Sequence, residues 1–344
     1  MSRSIPIFSE EVQTYEADTC RPLLRGVEVG EVELAAWGHG HYPGRRLPRG
    51  VLPAVKSVGF WDARHDQSWG LDWHRNEGIE LTFLERGRID FAVDGQRFHL
   101  RPGDLTITRP WQRHRVGDPH VGAGRLHWLI LDVGVRRPNQ PWRWPSWLIL
   151  TDDDRAELTR MLQHNEQPVW SVAPEMRHCF QQIAATIAID RADVKSSRLA
   201  VKLNELFLLL LETLRARDIY LDESLSGTQR TVELFLADLS NHSDLLAEEW
   251  TVRRMAAHCG LGVTQFTAYC RHLTNASPIQ YLNQARLDTA ARLLREDPQA
   301  SVTQVAIRCG YSSSQYFSLA FGRRFHCSPQ AYRLKDTTSA NGEG

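Results

Sequence analysis

Aromatic and polar side chains that suit a small polar ligand concentrate in the first 130 residues. Six of the 11 tryptophans lie there. Aromatic faces beside a few hydrogen-bonding groups are typical of pockets that bind a sugar or a similar small metabolite. Packing of large rings in a core is the alternative for any single tryptophan. We predict a small-molecule site formed by Trp73, His74, Arg75, Glu80, Trp111 and His114.

The chain around these side chains alternates as β-strands do. Ile89, Phe91 and Val93 alternate with polar residues up to Asp94-Gly95, a dipeptide typical of a tight hairpin turn. A returning strand follows at 96–100, and the segments RPGDLTIT and LHWLILDV come next. Short strands with regular turns predict a small barrel.

Residues 151–217 have helical spacing instead. Segments 152–165 and 177–190 carry apolar residues at helical intervals. A third helix has a heptad-like seam made of Leu199, Leu203, Leu206, Leu210 and Leu214. The seam indicates either a pairing surface or a buried core helix, since this helix is apolar on most faces. Residues 218–229 are acidic, contain a glycine and are predicted to be a linker.

A duplicated unit occupies the C-terminal part. TVRRMAAHCG at 251–260 and SVTQVAIRCG at 301–310 both have apolar residues at i, i+3, i+4 and i+7. Thr251 caps the first helix, and Ser301 with Gln304 forms a capping box on the second. Each helix ends at a glycine, Gly260 or Gly310, which tolerates the left-handed backbone of a sharp turn.

A second helical pattern follows each turn, over residues 266–273 and 317–325. Gly262 is a weak cap for the first of these helices, and Ser312 with Gln315 is expected to form a capping box on the second. Two helices joined by a tight turn form a helix-turn-helix, whose second helix lies in the DNA major groove. A connecting helix from Ser277-Pro278 to Asp297-Pro298 joins the two units.

Composition limits the remaining classes. The 344 residues suffice for two domains, and 42% hydrophobic with 24% charged residues excludes a disordered or fibrous chain. The net charge is zero, yet residues 228–335 carry 12 Lys and Arg against 8 Asp and Glu. Six cysteines without a CxxC pair, and no long apolar run, predict a reduced, cytoplasmic protein with no membrane segment.

Residues 228–334 closely resemble the DNA-binding domain of AraC-type bacterial transcription regulators, above all in GYSSSQYFSLAFGRRFHCSPQAYR. The resemblance implies that two recognition helices enter successive major grooves of double-stranded DNA. By position, the base-reading residues would be Thr264, Gln265, Thr267, Ala268, Arg271, Ser314, Gln315, Ser318, Leu319 and Arg323.

Three further arginines, Arg253, Arg254 and Arg324, are implied as phosphate contacts. Arg286 is implied as a structural ion-pair residue. The family often has arginine where this chain has Ala268 and Leu319, so we expect base reading to depend on glutamine, hydroxyl and methyl contacts and on DNA shape.

Residues 74–133 resemble a cupin, the usual sensor of that family. The first motif is His74, Asn76 and Glu80 before Gly87, and the second runs from Pro102-Gly103-Asp104 to His114. Metal-binding cupins use three histidines and a glutamate, and Asn76 replaces one of those histidines. We therefore expect an organic effector and no metal or other cofactor. The alternative is a metal-dependent cupin enzyme in which His74, Glu80 and His114 hold the ion.

The sequence thus predicts an α+β protein of bacterial cytoplasm. We expect a cupin-like sensing barrel in 1–150, a helical support or dimerisation region in 151–217, a linker in 218–229, a double helix-turn-helix domain in 230–335 and a flexible tail in 336–344. The expected function is non-enzymatic transcription regulation by a carbohydrate-like effector, as a homodimer and with RNA polymerase as a further partner. An effector can act in this way only through different affinities for two arrangements of the protein.

Overall fold

The computed structural model describes residues 7–10, 13–16, 20–40, 42–135, 137–189, 192–241 and 243–335. The chain forms two compact units, divided between Ser226 and Gly227. The first combines a β-sheet with helices and the second is helical, so the predicted α+β class is confirmed. The tail predicted at 336–344 lies outside the described residues.

The strands of the first unit are β1 (Ile7–Glu10), β2 (Gln13–Glu16), β3 (Val32–Gly38), β4 (Arg45–Arg46), β5 (Val55–Ala63), β6 (Ile79–Val93), β7 (Gln96–Leu100), β8 (Asp104–Thr108), β9 (His114–Leu131) and β10 (Val169–Ser171). β1 and β2 pair with each other, and the remaining strands form one sheet in the order β10-β8-β6-β9-β5-β3-β4, with β7 also paired to β6. The predicted hairpin at Asp94-Gly95 joins β6 to β7.

The sheet is cupin-like, as predicted, but it is open and does not close into a barrel. Among the described strands, β10 and β4 stand at the two ends of the order and do not pair with each other. β4 has two residues and β10 has three. Short edge strands offer few backbone groups for further pairing, so the sheet ends there.

The two faces of the sheet pack against different partners. On β9, Leu126, Trp128 and Ile130 belong to one apolar cluster, whereas Leu129 and Leu131 belong to a second cluster that includes the helices. This alternation follows from the two-residue period of a strand. We call the first face the cavity face and the second the helix face.

The helices of the first unit are α1 (Arg21–Glu28), α2 (Asp152–His164), α3 (Pro174–Ala188) and α4 (Ala192–Arg215). α2 begins after Thr151, whose hydroxyl accepts a hydrogen bond from the Asp154 amide. α3 begins three residues earlier than predicted because Pro174 occupies the first turn, where a missing N–H costs nothing. The leucine seam of α4 is fully buried in the helix-face cluster, which favours the core interpretation over the pairing surface.

The segment predicted as a linker is partly structured. Residues Glu223–Ser226 form a 3-10 helix with Leu225 buried. The Asp222 amide donates to the His164 carbonyl at 2.8 Å, which attaches this segment to the end of α2. A helix then begins at Thr228, so Gly227 alone separates the two helical elements.

The second unit consists of α5 (Thr228–Asn241), α6 (Ser243–Ala247), α7 (Val252–His258), α8 (Val263–Thr274), α9 (Pro278–Glu296), α10 (Val302–Arg308), α11 (Ser314–Phe325) and α12 (Pro329–Lys335). Both helix-turn-helix units and the connecting helix therefore match their predicted positions. The capping box of Ser301 and Gln304 is present, and Thr251 caps α7. At α11 the cap is Ser313 and not Ser312, because the Ser313 hydroxyl accepts from the Tyr316 amide.

Gly260 and Gly310 have φ angles of 67° and 77°, as their predicted turns require. At Gly310 a Cβ atom would lie 2.6 Å from the Leu246 carbonyl oxygen. Arg286 packs there and donates to the Leu246 and Glu248 carbonyls at 2.9 and 2.8 Å. Arg286 is structural, as expected, but it binds backbone carbonyls instead of a carboxylate.

Within the described residues, no helix has the length and apolar character needed to cross a membrane.

Candidate functional sites

A cavity opens on the cavity face of the sheet. Its polar lining residues come from four places in the chain: Tyr42 after β3, Ser57 on β5, His74 and Asn76 before β6, and Glu80 on β6. The other lining residues are mainly apolar or aromatic: Cys20, Leu23, Pro43, Trp61, Leu71, Val116, Leu126, Trp128 and Ile130. The five polar residues form one wall of the cavity, which we call the polar wall, and the rest of the lining is largely apolar.

Glu80 is the centre of the polar wall. Its Oε2 lies 2.6 Å from His114 Nε2 and accepts from Asn76 Nδ2 at 2.7 Å. Burial alone would raise the pKa of Glu80, but the charge and hydrogen bond of His114, with His74 and Asn76, lower it from 4.5 to about 2. Glu80 is therefore a buried carboxylate that stays charged at neutral pH.

Two contacts fix the position of the His114 ring. Its Nδ1 lies 2.9 Å from the Gln112 carbonyl oxygen, which only accepts, so this nitrogen is the donor of that contact. Its Nε2 lies 2.6 Å from Glu80 Oε2. The ring therefore links Glu80 to the segment before β9.

A second hydrogen-bond path leads from Tyr42. Its hydroxyl lies 3.0 Å from Asn76 Oδ1 and 2.5 Å from Glu77 Oε2. Burial and the Glu77 charge raise the pKa of Tyr42 well above 10.0, so it remains a neutral donor. Because its oxygen is held by Tyr42, the Asn76 amide is oriented with its NH₂ group toward Glu80.

His74, Glu80 and His114 could also hold a metal ion. One donor atom from each lies within 4.8 Å of the others. Two imidazoles and a carboxylate suit a divalent transition metal. Binding of an ion by His114 Nε2 would have to break its 2.6 Å contact with Glu80 Oε2 and requires the unprotonated nitrogen.

The structure brings together half of the predicted effector residues. His74 and Glu80 line the cavity and His114 contacts Glu80. Trp73, Arg75 and Trp111 are not among the described lining residues. The Trp73 ring lies under the Arg113 guanidinium at 4.8 Å, and the Trp111 indole N–H donates to the Val135 carbonyl at 2.7 Å.

Most of the lining residues were not predicted as site residues, among them Tyr42, Ser57, Trp61 and Trp128. Trp61 and Trp128 belong to the tryptophan-rich region of the sequence, which was the one available signal. Ser57 accepts a hydrogen bond from the Trp128 indole at 2.8 Å, and Tyr42 holds Asn76. These residues meet only through strand pairing, as when Gly59 lies opposite Trp128.

The second site is the outer surface of α8 and α11. The inner faces of these helices are buried through Phe266, Cys270, Phe317 and Phe321. Of the predicted base-reading residues, Thr264, Gln265, Ala268, Arg271, Gln315, Leu319 and Arg323 are exposed, and Thr267, Ser314 and Ser318 are half-buried. The Ser318 hydroxyl donates to the Ser314 carbonyl of its own helix at 2.8 Å.

The predicted phosphate-contacting arginines differ from one another. Arg254 is paired with Glu248 at 2.6 Å and stacks over Trp250. Arg324 donates twice to Asp288, at 2.9 and 2.8 Å. Arg253, like Arg323 of the predicted base-reading residues, is exposed and has no such partner among the described residues. These last two can reach a phosphate without breaking an ion pair.

A cupin-like sheet with a polar cavity and a duplicated helix-turn-helix define a DNA-binding transcription regulator. The family model of a helix-turn-helix domain matches residues 255–335, and that of a cupin domain matches residues 65–131. The chain is 37% identical over 261 residues to the HTH-type transcriptional activator RhaS of Escherichia coli (strain SMS-3-5 / SECEC), covering 76% of this chain and 86% of the relative. The chain therefore belongs to the AraC-type family of transcription regulators, as predicted.

Two further matches complete the comparison. The HTH-type transcriptional activator RhaR of Mannheimia succiniciproducens is 30% identical over 263 residues, which are 76% of this chain and 87% of the relative. The crystal structure of the DNA-binding domain of AdpA in complex with a target DNA is 31% identical and covers 33% of this chain and 97% of that chain, with a TM-score of 0.29.

Proposed function

We propose that this chain activates transcription in response to a neutral sugar that binds in the cavity and changes the affinity of the helix-turn-helix units for their operator. The main observation in favour of a neutral sugar is the Glu80 carboxylate, which lies in a cavity that is otherwise mostly aromatic and apolar. The relatives RhaS and RhaR support activation as the output, since both are transcriptional activators.

The charge of the cavity favours a neutral ligand. Glu80 is a carboxylate, and no Lys or Arg is among the described lining residues. A sugar phosphate or a sugar acid would bring a second negative charge close to Glu80, where partial burial leaves the repulsion poorly screened. Sugar hydroxyls, in contrast, donate to a carboxylate in strong charge-assisted hydrogen bonds.

The remaining walls have surfaces that suit the rest of a sugar. Trp61 and Trp128 offer ring surface, and Leu126 and Ile130 extend the apolar wall on β9. Such surfaces pack against the C–H faces of a sugar ring, and a few placed polar groups fix its orientation.

The other expected properties belong to the same proposal. The protein acts without catalysis, in the cytoplasm, as a homodimer and with RNA polymerase as a further partner. Because the α4 seam is buried within its own unit, we assign dimerisation to residues other than the seam.

The test is an operator-binding assay with the full chain. An operator is first obtained by in vitro selection from random duplexes. We expect neutral monosaccharides from a broad panel to change operator affinity and Trp fluorescence, and the matching sugar phosphates and uronic acids to have no effect. Operator affinity should also fall steeply as salt increases, because counterions return to the phosphates. Equal operator affinity with and without every neutral sugar would contradict the proposal.

A metal-dependent cupin enzyme is the second candidate, favoured by the compact His74, Glu80 and His114 donor set. Metal analysis of the purified protein separates the two. A stoichiometric transition metal that is lost in Glu80→Gln supports the enzyme, and a metal-free protein that still responds to a sugar excludes it.

A further inference from the structure

Two large apolar side chains project from the outer surface of α11. Tyr316 is 61% exposed and Leu319 is 64% exposed. They are three residues apart and therefore lie on the same side of the helix. The opposite side is closed by Phe317 and Phe321, which are fully buried. We call Tyr316 and Leu319 the apolar reading patch.

The position of the patch in the fold indicates its partner. α11 is the second helix of the second helix-turn-helix unit, and the Ser313 cap on the Tyr316 amide puts Tyr316 in the first turn. The N-terminal residues of such a helix contact the edges of bases in the major groove. Gln315 and Arg323 on the same helix are also exposed, so polar groups border the patch.

The equivalent helix of the first unit lacks the patch. Gln265 and Ala268 of α8 occupy the positions of Tyr316 and Leu319, since α8 precedes α11 by 51 residues. Arg271 of α8 corresponds to Gly322 of α11. Arginine is the usual reader of guanine, so the first unit has a guanine reader at a position where the second has none.

We propose that Tyr316 and Leu319 read the 5-methyl groups of thymine in the half-site bound by the second unit, with Gln315 on an adenine of the same half-site. Thymine is the one unmodified base that presents a methyl group in the major groove, and apolar side chains contact that methyl. Glutamine pairs with the adenine edge. The two half-sites of the operator then differ in chemistry, the second being read through A·T pairs. This inference rests on the proposed DNA-binding function.

The test uses the full chain and its selected operator. Selection with Leu319→Arg first identifies the half-site of the second unit, as the one in which the preferred bases change toward guanine. Deoxyuridine then replaces thymidine in that half-site, which removes only the methyl groups. We expect the affinity to fall roughly threefold to fivefold for each contacted methyl, since burying one such group is worth about 0.8 kcal/mol.

Variants assign the effect to the patch. Leu319→Ala and Tyr316→Ala should each bind the thymine and uracil operators more equally than the unmodified protein does. Tyr316→Phe keeps the ring and should retain the sensitivity. Ile307→Ala is the matched control, because Ile307 is 62% exposed but lies on α10, and it should also retain the sensitivity.

Two results would overturn the inference while the proposed function stands. One is an unmodified protein that binds both operators equally, and the other is full uracil sensitivity in Leu319→Ala. A chain that selects no DNA sequence would overturn the proposed function and this inference together. Melting temperatures of all variants establish that each is folded.

Discussion

Strands β6 and β9 carry two glutamate–histidine pairs, one on each face of the sheet. Glu80 with His114 and Glu85 with His127 each have an O···N distance of 2.6 Å. Hydrogen bonding to His127 lowers the pKa of Glu85 to about 2, the same value as for Glu80. In distance and in carboxyl pKa the two pairs are nearly identical.

Their surroundings are opposite. The Glu80 pair borders a cavity and shares its hydrogen bonds with Asn76. The His127 ring lies 5.8 to 5.9 Å from the rings of Phe60, Phe83 and Phe180, and Gln181 of α3 donates to Glu85 at 2.8 Å. The comparison teaches that a glutamate–histidine pair is available to a ligand where its free side opens on a cavity, and that elsewhere the same pair joins a sheet to its helices.

The largest expected effect is on stability at the helix face. His127→Leu removes the closest hydrogen-bond partner of the Glu85 carboxylate and leaves Arg125, at 4.0 Å, as its nearest basic group, so we expect the free energy of unfolding to fall by up to about 3 kcal/mol. Urea denaturation measures this loss, and sugar affinity in the same variant should stay within about twofold. An unchanged urea midpoint would mean that the pair contributes nothing to stability.

The next effect is on binding at the cavity face. Glu80→Gln removes the charge that accepts ligand hydroxyls, so we expect sugar affinity to fall roughly 10-fold to 100-fold, as for the loss of a charged hydrogen bond. Titration by Trp fluorescence measures it. Glu85→Gln is the matched control, with the same chemical change on the other face, and equal losses in both variants would contradict the distinction.

A smaller effect is expected from pH. Both carboxyl pKa values lie near 2 in the folded protein, below the ordinary value of 4.5, so folding favours the ionised forms. Their contribution is present above about pH 5 and is lost as pH falls toward 2. Urea midpoints measured between pH 7 and pH 3 should decline with falling pH, and the decline should be shallower in Glu85→Gln. A parallel decline in that variant would show that Glu85 is not responsible.

The smallest effect is expected at the hydrogen bond from α3. Gln181→Ala removes one neutral donor near solvent, so we expect at most about 1 kcal/mol of lost stability. Thermal melting of Gln181→Ala and His127→Leu side by side tests whether the first variant loses less stability than the second. A larger loss from Gln181→Ala would mean that α3 depends more on this hydrogen bond than on the aromatic packing.

The two helix-turn-helix units and their connecting helix could be predicted from the sequence, whereas α5 and α6 were not predicted and the cavity was predicted only in part. Helix caps such as Ser301 with Gln304 act within four residues, so their signal is local. The cavity depends on pairings such as Gly59 with Trp128, which no local spacing encodes. The sequence also did not predict that β10 forms an edge of the sheet, because this strand lies in the region predicted as helical. The ion pairs of Arg254 and Arg324 also needed tertiary structure.

The separation of the two units at Gly227 has a practical consequence for modular engineering. Residues up to Ser226 are attached to α2 through Leu225 and Asp222, and α5 begins at Thr228. A chimera that joins this sensor to the DNA-binding domain of another regulator should therefore have its junction at Gly227. A junction at residue 217 would remove the packed segment 218–226 from the sensor. Such fusions should express poorly with any DNA-binding domain.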